Sequence, residues 1–424
     1  MRNGESRFRA GAHARHRILL VDFAPSPGGS IVSLHGLVKG LCEDSYEPVV
    51  VLASGSSHVP RFRALGAQVF TMDVRQGQRE AFSAPVEHLR TSGFADWVRR
   101  TGPVAAAWHL GGFWMRFWRT ILPEARQIRD LAREHQAGLI HCNDALSISR
   151  SGVLGARLAR LPCICHVRRF DRFGWFERWL MPSVDQFVFI SNAVQQQFLA
   201  QQGRAAGHQI VFNGLDLEDF PVGIDGTSVR RELGLREKGP VVGIVGRLVD
   251  WKGHEVYLHA LARVAETWPD VQGLIVGGVE VTNPSLTKEL QELATALGLA
   301  EAVVFTGHRS DVSRMLAAMD VVAHASTSPE PFGRVIIEGM AMARPVVATS
   351  GGAVPEIVMD GQTGLLVEPG DVDGLAEAIV ALLLDPERAA SLGQAGRKRV
   401  EACFTSEHHV RQIEGVYGVV LGDS

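Results

Sequence analysis

Short, almost uninterrupted apolar runs alternate along the chain with longer stretches whose apolar positions recur at helical spacing. In the first half, Ile18–Phe23, Pro48–Leu52, Val69–Met72, Leu139–His141, Cys163–Val167, Phe187–Ile190 and Ile210–Phe212 read as strands. Ser30–Leu41, Pro123–His135, Ser147–Ala159 and Ala193–Gln202 between them read as helices. The second half repeats the pattern, with strands expected at Val241–Val245, Leu274–Val276, Val303–Phe305, Val321–Ala323 and Val346–Ala348. Strands that are apolar on both faces need covering on both, and strands joined through helices pair in parallel. The pattern therefore predicts an α/β chain of two doubly wound, Rossmann-like domains in series. Their seam is expected at Pro221–Thr227, a polar stretch with two glycines and a proline. This gives a basic, disordered tail over residues 1–16, a first domain over 17–221 and a second over 222–402. Residues 403–424 are expected to form a terminal helix that packs back on the first domain.

A length of 424 residues suits two or three domains. Lys plus Arg number 43 against 46 Asp plus Glu, a net charge of -3, so no global attraction to nucleic acid is expected. The five cysteines, Cys42, Cys142, Cys163, Cys165 and Cys403, include no CxxC pair. That disfavours a disulfide framework or zinc ribbon and points to a reducing cytoplasm. Residues 1–17 are polar and Arg-rich, unlike a signal peptide, and no apolar run approaches the roughly 18 residues of a membrane span.

Ligands of open α/β sheets bind beyond the carboxyl ends of strands. After the first strand, Gly28 and Gly29 lead into a helix, which is either a phosphate-approaching loop or an ordinary turn. In VVGIVGRLVDWKGHE, Arg247 and Lys252 follow a buried strand, a fork and a point charge suited to a diphosphate. The order of residues is not that of a Walker A loop. In SPEPFGRVIIEG, Glu330 precedes a helix start at Pro331–Gly333, and Glu338 lies inside an apolar helix with Arg334 four residues before it. Two carboxylates bracketing a helix N-terminus suit sugar and ribose hydroxyls, although Arg334 and Glu338 are also spaced to pair.

These residues resemble glycosyltransferase family 4, the retaining nucleotide-sugar enzymes of GT-B fold, over essentially the whole chain after Arg17. Glu330 and Glu338 match its E-x7-E motif, and GRLVDWKG matches its Arg–Lys diphosphate motif. Further matches are VFNGLDLEDF, VFTGH, GGAVPEIV and GQTGLLVEPGD. The resemblance implies that Arg247 and Lys252 bind the donor diphosphate, Glu338 the ribose and Glu330 the transferred sugar. It implies that Phe332, Gly333 and Arg334 contribute backbone groups, and that Gly28 and Gly29 reach the donor from the other domain. Gly307–His308–Arg309 would read the base, and His166 would face the sugar. His141 matches the first histidine of the family's H-x-H, with Asn143 in place of the second. His141, Asn143 and Arg168, the last in the basic run Arg168–Arg172, are candidates for an acidic acceptor, or the run is solvated surface. No metal site is expected. Cys142, Cys163 and Cys165 read as small core residues, and Asp371-Val372-Asp373 reads as a helix cap.

The expected activity is a metal-independent, retaining hexosyl transfer, without a cofactor, from a UDP- or GDP-sugar to a saccharide or lipid-linked acceptor. The alternatives are a nucleotide-sugar hydrolase or epimerase of the same fold, or a non-catalytic sugar-nucleotide sensor. One segment bears on location. Residues 94–122 hold Trp97, Trp108, Trp114 and Trp118, four of the eight tryptophans, among Arg99, Arg100, Arg116 and Arg119. Indole and guanidinium together suit the surface of an anionic membrane on its cytoplasmic side, whereas a buried helix pair is the structural alternative.

Overall fold

The apolar runs become two parallel sheets. The computed structural model describes residues 15–24, 28–74, 111–201, 207–279 and 283–422. In the first sheet, β1 (His16–Asp22), β2 (Tyr46–Ala53), β3 (Gln68–Met72), β4 (Leu139–Cys142), β5 (Cys163–Val167), β6 (Gln186–Phe189) and β7 (Gly207–Ile210) lie in the order β3-β2-β1-β4-β5-β6-β7. In the second, β8 (Val241–Val245), β9 (Gln272–Val276), β10 (Val303–Phe305), β11 (Val321–His324), β12 (Val346–Thr349) and β13 (Leu365–Val367) follow the order β10-β9-β8-β11-β12-β13. Every pairing is parallel. In each sheet the strand order reverses beside the first strand, at β1/β4 and at β8/β11, where the loops diverge and leave a crevice.

Three details differ from the sequence reading. His16, assigned to the tail, opens β1 and pairs with Tyr46. The strand expected at Ile210–Phe212 lies at Gly207–Ile210. It is an edge strand bonded only to β6, so it needs no apolar faces, and the apolar residues Val211 and Phe212 belong to the segment that leaves the sheet. β13 was not expected: this half-buried edge strand has only three residues, Leu365–Val367, set among turn-forming glycines and a proline.

The chain crosses between the domains twice, and the crossings run side by side. Leu215 N donates to Phe404 O and Ser406 N to Leu215 O, each at 2.9 Å. Phe212, Phe332 and Phe404 pack their rings together there, with centroids 5.4 to 6.2 Å apart. The last helix, Ser406–Leu421, is capped by the Thr405 side chain. It lies against the first domain, where Val410, Ile413, Val416 and Tyr417 share a core cluster with Ile18, Leu20, Leu34 and Leu37.

Candidate active site

In the second domain β8 ends at Val245, and the chain passes Arg247 to a short turn, Asp250–Lys252. Gly253 then takes a φ of 70°, and a Cβ there would lie 1.9 Å from the carbonyl oxygen of Ala325. Only glycine permits this approach to the end of β11. It sets Lys252 beside the next loop, where Lys252 Nζ donates to Glu330 Oε2 at 2.6 Å and lies 4.3 Å from the Trp251 ring centroid. Ser326 Oγ donates to the same oxygen at 3.2 Å, and His324 Nε2 is 3.3 Å from it. Burial alone would raise the Glu330 pKa. The His324 bond and the Lys252 charge outweigh it and hold the carboxyl at about 2. Glu330 is thus ionised and fixed.

The helix Arg334–Ala341 begins directly after Gly333, whose φ of 99° turns the chain into the helix. Gly333 lies against Glu330, whose Cγ would be 3.5 Å from a Cβ at that glycine, so the helix start and Lys252 both border this carboxylate. Glu338 pairs with Arg334 at 3.6 Å, and burial pushes its pKa up against that pairing. The ring of Phe332 is buried in the interdomain aromatic cluster, so only its backbone can serve a ligand. His308 is exposed in the loop after β10, whereas Arg309 turns away to Asp311 and Glu232.

The first domain meets this site directly. A Cβ on Gly29, in the first turn of the helix Gly29–Gly40, would lie 3.0 Å from Arg334 Cδ. Ser191 Oγ donates to Pro331 O at 2.8 Å. Arg169, at the end of β5, is held by Asp144 through Nε at 3.1 Å and Nη2 at 2.9 Å. Partial burial, and then the charge of Arg169, push the pKa of Arg247 down. The positive charge of Arg169 in the first domain thus bears on Arg247 in the second, a repulsion that an anion between the domains would relieve.

The three acceptor candidates have a different place from the one expected. His141 and Asn143 are fully buried and Arg168 is 7% exposed, because all three belong to a polar network inside the first domain. Arg168 donates to Asn143 Oδ1 at 2.9 Å and Asn213 Oδ1 at 2.5 Å, and its Nη2 lies 3.2 Å from His166 Nδ1. Asn143 donates in turn to Asp22 Oδ2 at 2.7 Å. Burial and then the neighbouring Asp144 charge raise Asp22 to about 6, while burial lowers Arg168 to about 10. The basic run is therefore not simply solvated: Arg168 is consumed inside and Arg169 is paired. His166 is also fully buried, stacked between His141 at 5.5 Å and His409 at 5.8 Å. Since a guanidinium only donates, Arg168 fixes the tautomer of His166 with its proton on Nε2.

Sequence reasoning missed Asp22, Asp144, Asn213, His324 and Ser326. Asp22 and His324 are the last residues of β1 and β11, which is where the strand-end rule looks. Asp371, read as a cap, accepts from Gly374 N at 2.9 Å at the start of the helix Val372–Leu384.

Comparison with known proteins bears on the fold and the family. Residues 27–219 match the family described as glycosyltransferase family 4, and residues 225–399 match glycosyl transferases group 1. The GDP-mannose-dependent alpha-(1-6)-phosphatidylinositol monomannoside mannosyltransferase of Mycolicibacterium smegmatis is 32% identical over 299 residues, 65% of this chain and 76% of that protein. The chain belongs to glycosyltransferase family 4. A D-inositol 3-phosphate glycosyltransferase of Corynebacterium urealyticum is 32% identical over 57% of this chain and 58% of its own length. The crystal structure of Anabaena HepE in complex with UDP and glucose superposes with a TM-score of 0.77 at 25% identity, covering 95% of this chain and all of the other. A glycosyltransferase of Rickettsia africae shares the fold at a TM-score of 0.79 and 20% identity, over 97% of this chain and all of its own. The two Rossmann-like sheets facing across a crevice are the GT-B architecture.

Proposed function

We propose that this glycosyltransferase moves a hexose from a UDP- or GDP-sugar to a saccharide or lipid-linked acceptor, retaining the anomeric configuration and using neither metal nor cofactor. The observation that carries the reading is the Lys252–Glu330 pair beside the helix start at Gly333, with Gly29 of the other domain against Arg334. Placed there, a donor diphosphate meets Arg247, Lys252 and the free N–H groups of that helix. These groups stabilise the charge that develops on the leaving phosphate oxygen as the bond from C1 breaks. The acceptor oxygen then bonds C1 from the same face, and a donor phosphate oxygen takes its proton. Glu330 uses Oε2 for Lys252, His324 and Ser326, so its other oxygen can accept from a sugar hydroxyl. Glu338 takes the ribose hydroxyls. Gly28 and Gly29 approach the donor phosphate, and the backbone around His308 takes the base, whereas His166, buried like His141, is left out of the sugar contacts.

The relatives named for phosphatidylinositol and inositol phosphate acceptors support an acceptor that is polar and attached to lipid or phosphate. Among the described residues no helix is long and apolar enough to cross a membrane. A lipid-linked acceptor therefore calls for peripheral contact at the cytoplasmic face, for which the segment 94–122 is the first candidate. Its residues up to 110, with Trp97 and Trp108, lie outside the described residues.

The test is a panel of UDP-, GDP- and ADP-sugars scored by thermal stabilisation, since a ligand bound only by the folded state raises the melting temperature. It is followed by proton NMR of the product's anomeric centre. One donor is expected to stand out, its product is expected to keep the donor's configuration, and turnover is expected to survive EDTA. An inverted product removes the retaining assignment. Loss with EDTA and rescue by Mg²⁺ or Mn²⁺ removes metal independence.

A further inference from the structure

Two separate elements bring tryptophans to one place on the first domain. The segment Gly111–Ile121 exposes Trp114 (48%), Met115 (53%) and Trp118 (60%), and the helix Trp175–Leu180 exposes Trp175 (50%) and Trp179 (46%). Beneath them Phe113, Phe117 and Phe176 form the seam. Phe113 lies 4.6 Å from Trp175 and 5.2 Å from Phe176, and Phe176 stacks 5.6 Å from Trp179. The indoles therefore share a foundation and form one surface.

Among the described residues of these two segments the exposed charge has a single sign. In residues 111–126 and 172–179 every exposed ionisable side chain is an arginine: Arg119, Arg126, Arg172 and Arg178. The two carboxylates of those segments, Glu124 and Glu177, are buried, and Glu177 pairs with Arg150. Arg157 adds a guanidinium 4.6 Å from the Trp179 ring centroid. A second copy docked through the same patch by a two-fold axis would set these arginines against each other. An anionic lipid surface instead meets them with phosphates and takes the rings at headgroup depth.

We propose that Trp114, Met115, Trp118, Trp175 and Trp179 form a platform that docks on an anionic bilayer beside the acceptor side of the crevice. The helix Trp175–Leu180 hangs from the loop after β5, the strand end that carries His166, Arg168 and Arg169. Asp171 ties that loop down by accepting from Ser147 N at 3.0 Å. Docking by this face brings the crevice to the membrane, so a lipid-linked acceptor enters it without leaving the bilayer. This step rests on the lipid-linked reading of the acceptor.

The experiment is sedimentation of the full chain with vesicles of phosphatidylcholine, alone or mixed with phosphatidylglycerol. Wild type is expected to pellet only with the anionic vesicles and to be released by added salt, which screens the arginines. The pairs Trp114→Ala/Trp118→Ala and Trp175→Ala/Trp179→Ala are each expected to lose binding, and so is Arg119→Glu/Arg178→Glu, which keeps every indole. Wild type remaining in the supernatant with anionic vesicles at low salt overturns the proposal, as does unchanged pelleting of Trp175→Ala/Trp179→Ala. A dimer in gel filtration that this pair converts to monomer overturns it in favour of a second copy as the occupant. Nucleoside diphosphate binding, read by calorimetry, is expected to be equal in all three variants and wild type. Its absence from wild type sinks the transferase reading, whereas its presence without vesicle binding sinks the docking alone.

Discussion

Lys252 Nζ and Glu330 Oε2 are 2.6 Å apart, so the cation proposed to bind a diphosphate is paired with a carboxylate. The pair keeps both charges satisfied until the donor arrives. Lys252→Ala is expected to remove a charge-assisted contact of about 1.5–3 kcal/mol, roughly 10–150-fold in donor binding or turnover. It also has a pH signature. Glu330 is depressed from an ordinary 4.5 to about 2, so its contribution to stability is full above pH 4.5 and is lost as the pH falls through about 2. The melting-temperature gap between wild type and Lys252→Ala is expected to be widest above about pH 5 and to close towards pH 2. A gap that does not change with pH counts against the pair as the source.

In the proposed reading the two motif carboxylates divide the donor between them. Glu338 sits in the helix beside Arg334, and Glu330 sits before the helix beside Lys252. Glu338→Ala is expected to weaken the nucleoside diphosphate itself. Glu330→Ala is expected to spare it and lower turnover of the intact sugar donor. Calorimetry with UDP and GDP, run beside turnover, separates the two. Equal loss of nucleoside diphosphate binding in both variants would show that the division is wrong.

Glu356 fastens the second domain to the first. Its carboxylate accepts from Asn192 N, Asn192 Nδ2 and Ala193 N, each at 2.8 Å, at the N-terminus of the helix Asn192–Ala200. An anion is favoured there by the helix dipole as well as by the bonds. Next to it, Ser191 joins Pro331, the neighbour of Glu330, so loosening this contact loosens the donor site. Glu356→Ala is expected to widen the unliganded particle in small-angle scattering and to weaken donor binding on the order of 10-fold, about 1.4 kcal/mol. An unchanged scattering profile would show that the contact does not hold the domains.

The alternation of apolar and amphipathic stretches made the two sheets legible, because strands such as Val241–Val245 are apolar throughout and buried on both faces. Arg247, Lys252, Glu330 and Glu338 stand out as candidates in the sequence for a related reason, since segments at and just after strand ends can hold a ligand only through a few side-chain types at close spacing. Partnerships across long separations were not. Nothing near Asn143 announces that it bonds Asp22, which lies 121 positions earlier. Arg168 looks like surface charge in an arginine-rich run, and its burial depends on Asn143 and Asn213 being brought to it from the segments that follow β4 and β7. The same holds for Glu356, whose partners belong to the other domain.

The stacked histidines make the last prediction. His166 lies between His141 and His409, and all three are held far below the ordinary value of 6.5, His141 and His409 at about 3, with burial as the largest cause. His409 and Tyr417, both from the final helix, close the stack. The His409 ring is 2.7 Å from Phe212 O through Nδ1, and Tyr417 Oη is 2.7 Å from His141 Nδ1. A buried imidazole that stays neutral cannot take the proton that the unfolded chain takes below pH 6.5. Stability is therefore full above that pH and falls as acid is added, by about 1.4 kcal/mol per pH unit for each such residue. His409→Phe keeps a ring in the stack and removes one of these protons. Urea unfolding between pH 7.5 and 4.5 is expected to show a shallower acid loss in His409→Phe than in wild type, by about one proton's slope, even if the variant starts lower at neutral pH. Parallel curves would mean that His409 is protonated in the folded protein and that the neutral stack is wrong.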